Sequence, residues 1–521
     1  MNLSETVLGI ELGSTRIKSV LLDRNHKPIA TGSFEWENKL INGIWTYSME
    51  DVDKGIKTCF SELKKDFKNT FGMDLTKVGA IGISGMMHGY LVLDKNGELL
   101  TEFRTWRNTI TEKAAEKLTE YLNFNIPQRW SVAHLYQAIL NKEAHLSNID
   151  YITTLAGYIH LKLTGKKVIG VGEASGKFPI DPKTLDYNQE MVDKFDKLIE
   201  NENLPWKFRD IFPKVLNAGE NAGILTEEGA KYLDISGTFE SGIPLAPPEG
   251  DAGTGMVATN SVRLGTGNVS AGTSGFTMIV TDKKLSVHRE IDMITTPAGK
   301  TVAMVHCNNC TSDINAWVNL FYEFAKATGS NISKGELFTT LFNKALEGDA
   351  DCGGLMSYNY ISGEGITNVN EGRPVFLRKE NAVFSLANFM RTHLYSAIAT
   401  LQLGMNILVN EGVKIDKLYG HGGYFKTPGV GQKILSAAVG CPISVLETAG
   451  EGGPYGMALL AAYMLWKDSD EELEDYLDNK VFNDSVSHTE MATDDEICGF
   501  KEFLKDYKNA FSVEKEAILN L

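Results

Sequence analysis

No run of apolar residues in this chain is long enough to cross a bilayer. The longest candidate, Met457 to Trp466, has about half the length a spanning helix needs and contains Tyr463. The first residues, MNLSETV, lack both a basic flank and an apolar signal core, so a cytoplasmic protein is expected. Positive charge is in short supply: 51 Lys and Arg face 67 Asp and Glu, a formal net charge of −16. A partner with a phosphate backbone demands a basic face, so nucleic-acid binding is not expected, and neither is a membrane. A small anion held by backbone amides and magnesium remains compatible with this charge. Cysteine is scarce too. Six in 521 residues do not make a disulfide framework. Cys307 and Cys310 form a single CxxC beside His306, but zinc would need further ligands at a second matching spacing. Reduced thiols packed near a strand end are the expectation.

Two nucleotide signatures are missing as well. A dinucleotide fold places G-x-G-x-x-G between a strand and a helix, and no such run occurs. Gly299-Lys300-Thr301 has the end of a P-loop, but Ile294 stands where its first glycine belongs. That tripeptide reads as a hairpin turn.

What is present describes a globular protein, 43% hydrophobic and 23% charged. Its length is too great for one ordinary core, so two or more domains are expected. Near the start, Val7 to Leu12, Ile17 to Asp23 and Ile29 to Phe34 are apolar runs separated by turns, which predicts a three-stranded meander. Past the middle, Ser261 to Ala271, the turn Gly272-Thr273-Ser274-Gly275 and Phe276 to Val280 repeat the plan. Two such hairpins suggest a duplicated architecture with a ligand between two lobes.

Leu155 to Gly165 reads as a helix entering a turn. Leu386, Phe389, Met390, Leu394, Ile398, Leu401, Met405 and Leu408 recur every three or four residues, as in a long amphipathic helix on a sheet. Lys417 to Gly423 reads as a strand ending in glycines, followed by a helix through Ile434 to Val439. A strand at Pro442 to Leu446, a turn at Gly450-Glu451-Gly452-Gly453 and a helix from Tyr455 come next. The alternation predicts α/β domains. Asp468 to Asp478 is expected to be an acidic, helical, solvated face.

The stretch PPEGDAGTG, residues 247 to 255, sets Asp251 among small residues that let a substrate or a second backbone come close. An acid in a surface turn would look the same. The order of motifs around it decides between the two. GIELGSTRIKSVLLD, GISGMMHG, FRTWRN, LTG with GEASG, GDAGTG, GTSG and GHGGYFKTPGVGQKILSAAVGCPI follow one another from residue 7 to about 462. Taken together they resemble the FGGY carbohydrate kinases of the actin-like ATPase superfamily. The Met-His pair and the Trp-Arg-Asn segment look most like the xylulokinase branch, less like glycerol kinase. Two departures stand out. Glu11 replaces the family's usual Asp, and Trp106-Arg107-Asn108 stands where xylulokinases typically follow the Trp with Asn-Asp.

The resemblance implies an α/β fold of two actin-like, ribonuclease H-like domains, each a mixed sheet flanked by helices, with a cleft between them. Residues 1–253 would bind the sugar and carry the first phosphate loop, and residues 254–521 would bind the nucleotide. It implies ATP and Mg²⁺ as cosubstrate and metal, with Asp251 as the catalytic base and Glu11 and Asp251 at the metal. Met87, His88, Trp106, Arg107 and Asn108 would contact the sugar. Gly13, Ser14, Thr15, Lys18, Gly272, Thr273, Ser274, Gly422 and Gly423 would contact ATP. Glu173 reads equally as a helix cap or a substrate contact.

Each role has a chemical reason. A carboxylate eases removal of a proton from a weakly acidic sugar hydroxyl. A second one beside phosphates needs a cation between them. The Trp106 ring offers an apolar wall to a polyol. The expected reaction phosphorylates a ketopentose, D-xylulose first, with L-ribulose, another ketose or a polyol as alternatives. The rivals are a non-kinase ATPase of the same superfamily and, more remotely, a dehydrogenase. A homodimer is one option for its assembly.

Overall fold

The chain is described by a computed structural model covering residues 2–447 and 452–521. Of the expected turn at Gly450-Glu451-Gly452-Gly453, the first two residues lie outside the described residues. The chain divides into two compact units. The first comprises Met1–Val262, Asp292–Val302 and Glu451–Asp484; the second comprises Arg263–Ile291, Ala303–Gly450 and Ser485–Leu521.

The first unit is built on a five-stranded sheet. Its order is Glu249–Gly250, Ala80–Gly85, Val7–Leu12, Arg16–Leu22 and Pro28–Glu35. The first three strands run parallel and the last three form the antiparallel meander predicted from the apolar runs. Val7–Leu12 is buried on both faces, as its nearly continuous apolar sequence requires. Helix Met49–Phe71 covers one face, started by the Ser48 side chain and stopped by Gly72 in the left-handed region. Helix Gly453–Trp466 covers the other face and is apolar all round because it is buried all round. It sits so close that a Cβ on Gly9 would strike Pro454 and Ala458, and one on Gly82 would strike Met457. Helix Asp251–Ala258 packs on it in turn, with Gly456 against the Thr254 carbonyl. This packing sets Asp251 near the strand ends that carry Glu11 and Met87.

In the second unit five successive strands of a seven-stranded sheet run in the order Gly275–Val280, Thr266–Ala271, Lys417–His421, Ile443–Leu446 and Ser487–Glu490. The middle pairs are parallel and the outer pairs antiparallel. The second glycine hairpin therefore exists as predicted, and so do helices Leu155–Thr164 and Val430–Val439.

Two expectations change. Helix Leu386–Asn410 is buried on nearly every side, not amphipathic. Its polar residues look solvent-facing in sequence but are paired inside: Ser396 donates to the Ser357 carbonyl, and Thr400 shares a hydrogen bond with the Tyr360 hydroxyl. The acidic segment after Asp468 is only partly a solvated face, since Leu473, Glu474, Tyr476 and Leu477 are buried. Glu474 pairs with Lys300, and this gives the GKT tripeptide a structural task. Gly299 turns at φ 80° and Lys300 reaches a carboxylate of its own unit. Cys307 and Cys310 are buried free thiols, and burial pushes Cys310 up to about 12. Among the described residues no helix is long and apolar enough to cross a membrane.

Candidate active site

Each unit carries one glycine hairpin. In the first, Gly13 donates to the Arg16 carbonyl at 3.0 Å, and Ser14 and Thr15 are exposed at the tip. Glu11 and Lys18 face each other in register on the two strands. A groove of ≈ 780 Å³ opens beside this hairpin, lined by Thr15, Arg16, Lys18, Trp36 and Glu37 among others. In the second hairpin Gly272 donates to the Ser274 carbonyl at 3.0 Å, with Thr273 and Ser274 exposed. Gly422 follows the neighbouring parallel strand at φ 99°, and a Cβ there would strike the Ala271 backbone. Glycine is needed for both reasons. Gly422 and Gly423 thus stand beside Gly272, Thr273 and Ser274 at one end of the second unit's sheet.

Asp251 opens helix Asp251–Ala258, and its Oδ1 accepts the Met87 N–H at 3.0 Å. Burial raises its pKa. Glu11 is pushed up to about 7, first by burial and then by the charge on Asp251, with Lys18 opposing. Two buried acids, one of them raised by the charge of the other, form a site with too little positive charge. That fits magnesium, which binds one or two carboxylates and fills its remaining positions with phosphate oxygens and water. Among the described residues no group of three or more His, Cys, Asp or Glu is placed to cage a metal.

A buried cluster that the motifs did not reveal lies behind Asp251. Glu249 is pushed up to about 8 by burial, and its carboxyl oxygens accept the Glu173 N–H at 2.8 Å and the Gly172 N–H at 3.3 Å. Burial and then the charges of Glu249 and Asp251 raise Glu173 well above the carboxylate range. Neither of its oxygens finds a hydrogen-bond partner among the described residues, so its carboxyl is not a helix cap. Lys177, lowered to about 7 by burial, donates to Ser131 Oγ at 3.2 Å. Gly250 has no side chain because a Cβ there would collide with the Glu173 carboxyl and Met87. The only sequence signal for Glu249 and Lys177 was adjacency, one within PPEGDAGTG and the other directly after GEASG.

His88 turns at φ 74° and Gly89 at φ 97°, a bend that carries the chain out of strand Ala80–Gly85. The His88 ring lies near-parallel to Trp130 at 6.5 Å, and Nδ1 is 3.0 Å from the Gly176 carbonyl. Burial lowers His88 to about 3, so the ring is neutral. Because a carbonyl only accepts, Nδ1 carries the proton and Nε2 is an acceptor.

The Trp-Arg-Asn segment behaves differently from the Met-His pair. Trp106 is 39% exposed. Arg107 lies over the Trp45 ring at 3.7 Å. Asn108 is buried, accepts the Trp45 N–H at 2.8 Å, and donates to the Trp45 and Thr105 carbonyls at 2.8 and 3.0 Å. The structure therefore groups Glu11, Met87, His88 and Asp251, while Arg107 and Asn108 are engaged with Trp45.

Residues 6–257 match the N-terminal domain of the FGGY family of carbohydrate kinases, and residues 267–465 match its C-terminal domain. The chain belongs to this family of sugar kinases, which use ATP, and it has their two-domain actin-like fold. It is 24% identical over 487 residues to a xylulose kinase of Haemophilus influenzae, spanning 90% of this chain and 92% of that one. A ligand-bound xylulose kinase from Lactobacillus acidophilus superposes with a TM-score of 0.78 at 17% identity, over 98% of both chains. A gluconate kinase from the same organism superposes equally well, at 18% identity over 98% of both chains.

Proposed function

We propose that this kinase moves the γ-phosphoryl group of ATP to the 5-hydroxyl of a ketopentose, D-xylulose, giving D-xylulose 5-phosphate and ADP. The observation that carries the reading is the hydrogen bond from the Met87 amide to Asp251, which fixes a carboxylate beside the Met-His segment. A hydroxyl held there by neutral His88 has its proton acceptor already aligned, and alignment supplies much of the rate in phosphoryl transfer. Asp251 Oδ2 takes the proton as the hydroxyl oxygen attacks phosphorus. Met87 and the Trp106 ring give the carbon skeleton apolar contact. Gly13, Ser14, Thr15, Lys18, Gly272, Thr273, Ser274, Gly422 and Gly423 are assigned to the nucleotide. Asn108 holds Trp45, and Arg107 stacks on it; together they shape the approach to the sugar.

Glu11, with Asp251 beside it, is the place for Mg²⁺. When bound, the cation neutralises phosphate charge that the two carboxylates would otherwise repel. The sugar role falls to residues 1–253 and the nucleotide role mainly to 254–521, in a cytoplasmic enzyme. The name of the Haemophilus influenzae relative supports D-xylulose, while the gluconate kinase likeness keeps other acceptors in view.

The test is a coupled ADP-release assay over pentuloses including L-ribulose, hexuloses, polyols and gluconate. The highest kcat/KM is expected for D-xylulose. A higher value for another acceptor would reassign the substrate, and ADP release independent of any acceptor would favour a non-kinase ATPase.

A further inference from the structure

The first glycine hairpin is held from behind in an unusual way for so short a loop. All three of its tip carbonyls are occupied. The Trp36 indole N–H donates to the Gly13 carbonyl at 2.7 Å, the Tyr47 hydroxyl donates to the Ser14 carbonyl at 2.5 Å, and the Trp36 backbone N–H donates to the Thr15 carbonyl at 3.2 Å. The amides of Ser14 and Thr15 donate to no protein acceptor among the described residues. Each peptide unit is a dipole, so a carbonyl pinned backward turns the following amide forward. A row of forward amides attracts an anion, whereas a forward carbonyl would repel it.

The two side chains form a rigid pair. Trp36 and Tyr47 are both buried, with ring centroids 4.2 Å apart. Burial pushes the Tyr47 hydroxyl up to about 12, so it keeps its proton. Just before Tyr47 comes the small hairpin of Lys39–Ile41 and Ile44–Thr46. Asn108 grips that hairpin at Trp45, and Arg107 stacks on it. The second glycine hairpin shows the same arrangement with backbone donors. The Gly272 carbonyl accepts from the Thr311 N–H and the Thr273 carbonyl from the Cys310 N–H. Two loops of unrelated surroundings therefore have their carbonyls neutralised from behind.

We propose that Trp36 and Tyr47 are positioning residues for the nucleotide, holding the first loop's amides toward its phosphates by engaging the loop's carbonyls. The proposal rests on the reading that Gly13–Thr15 meets ATP. In this role both side chains act through the loop. Freed carbonyls would let the tip rotate, and the site would lose aligned donors rather than contacts.

The experiment uses Tyr47→Phe and Trp36→Phe, which remove one donor each and keep a ring in the core. Binding of ADP with magnesium is measured by titration calorimetry, alongside thermal melting and both Michaelis constants. Each variant is expected to bind magnesium-ADP about 5-fold more weakly, the effect of one lost hydrogen bond. The Michaelis constant for ATP should rise in step, while that for the sugar stays within about twofold of wild type. Should Trp36→Phe fail to fold, Tyr47→Phe carries the test alone. Unchanged magnesium-ADP binding in the folded variants overturns the proposal. So does a parallel loss of sugar and nucleotide affinity with a lowered melting temperature, which marks general support of the core. Calorimetry needs no sugar. If the wild type phosphorylates no acceptor in the panel yet the variants show the predicted binding loss, the proposed acceptor fails and this assignment stands.

Discussion

Replacing Asp251 with Asn probes the base with little change in shape. The Oδ1 that accepts the Met87 N–H at 3.0 Å survives as an amide oxygen, so the turn between strand Glu249–Gly250 and helix Asp251–Ala258 should hold. What disappears is the proton acceptor and the charge that helps raise Glu11. Turnover should fall by ~10²–10⁴-fold, the usual contribution of a positioned general base. The remaining rate comes from alignment and phosphate binding. Burial and Asp251 together push Glu11 up to about 7, so removing the Asp251 charge moves Glu11 back toward the ordinary carboxylate range. The variant should therefore be at least as thermostable as wild type at pH 8. The assay is coupled ADP release at saturating ATP and sugar, with calorimetric binding of each ligand and a melting curve in parallel. A folded variant that turns over within about threefold of wild type would refute the assignment. One that loses sugar binding along with turnover would show that Asp251 holds the substrate more than it deprotonates it.

Glu11→Gln tests the metal position and has a definite pH sign. The folded pKa of about 7 lies above the ordinary value of 4.5, so wild-type stability falls as pH rises from 4.5 to about 7, where only the unfolded chain has released the proton, and is level above that. The variant should melt with wild type at pH 5, above it at pH 8, and require more magnesium for turnover; an identical melting difference at both pH values would contradict this. His88→Asn keeps a residue that tolerates the left-handed backbone and removes the ring, so the sugar Michaelis constant should rise by about 10-fold while that for ATP moves little. Trp106→Ala, at a 39% exposed position, should fold normally and weaken the sugar alone. Wild-type sugar kinetics in both variants would move the pocket elsewhere. Gly456→Ala would drive a Cβ into the Thr254 carbonyl and push a pair of buried helices apart, at a cost of about 1–3 kcal/mol or more and a lower melting temperature. An unchanged melt would mean that those helices are loosely packed.

Much of the fold was readable because local signals agreed. The strands at Val7–Leu12 and Gly275–Val280 are apolar runs bounded by glycine turns, and helix Leu155–Thr164 ends on Gly165 as its sequence announces. The order of the motifs was enough for the family. Periodicity misjudged helix Leu386–Asn410, whose Ser396 and Thr400 look solvent-facing until their partners on distant segments are known.

The site divides along the same line. Asp251, Glu11, Met87 and His88 stand in short contiguous motifs bounded by glycine, and folding sets Asp251 against the Met87 amide with its charge acting on Glu11. The Glu173–Glu249–Lys177 cluster was not, because a carboxyl's pKa depends on burial and neighbouring charge, neither of which has a sequence period. Asn108 looked like a sugar donor, and folding committed its amide to Trp45. Gly299-Lys300-Thr301 read as a hairpin turn, but that Lys300 pairs with Glu474, far along the chain, was not in the sequence. Sequence alone determined the types of side chain available and the local turns that present them. Tertiary structure decided which were committed to one another, because a hydrogen bond or ion pair is a matter of a few ångströms in space between residues any distance apart along the chain.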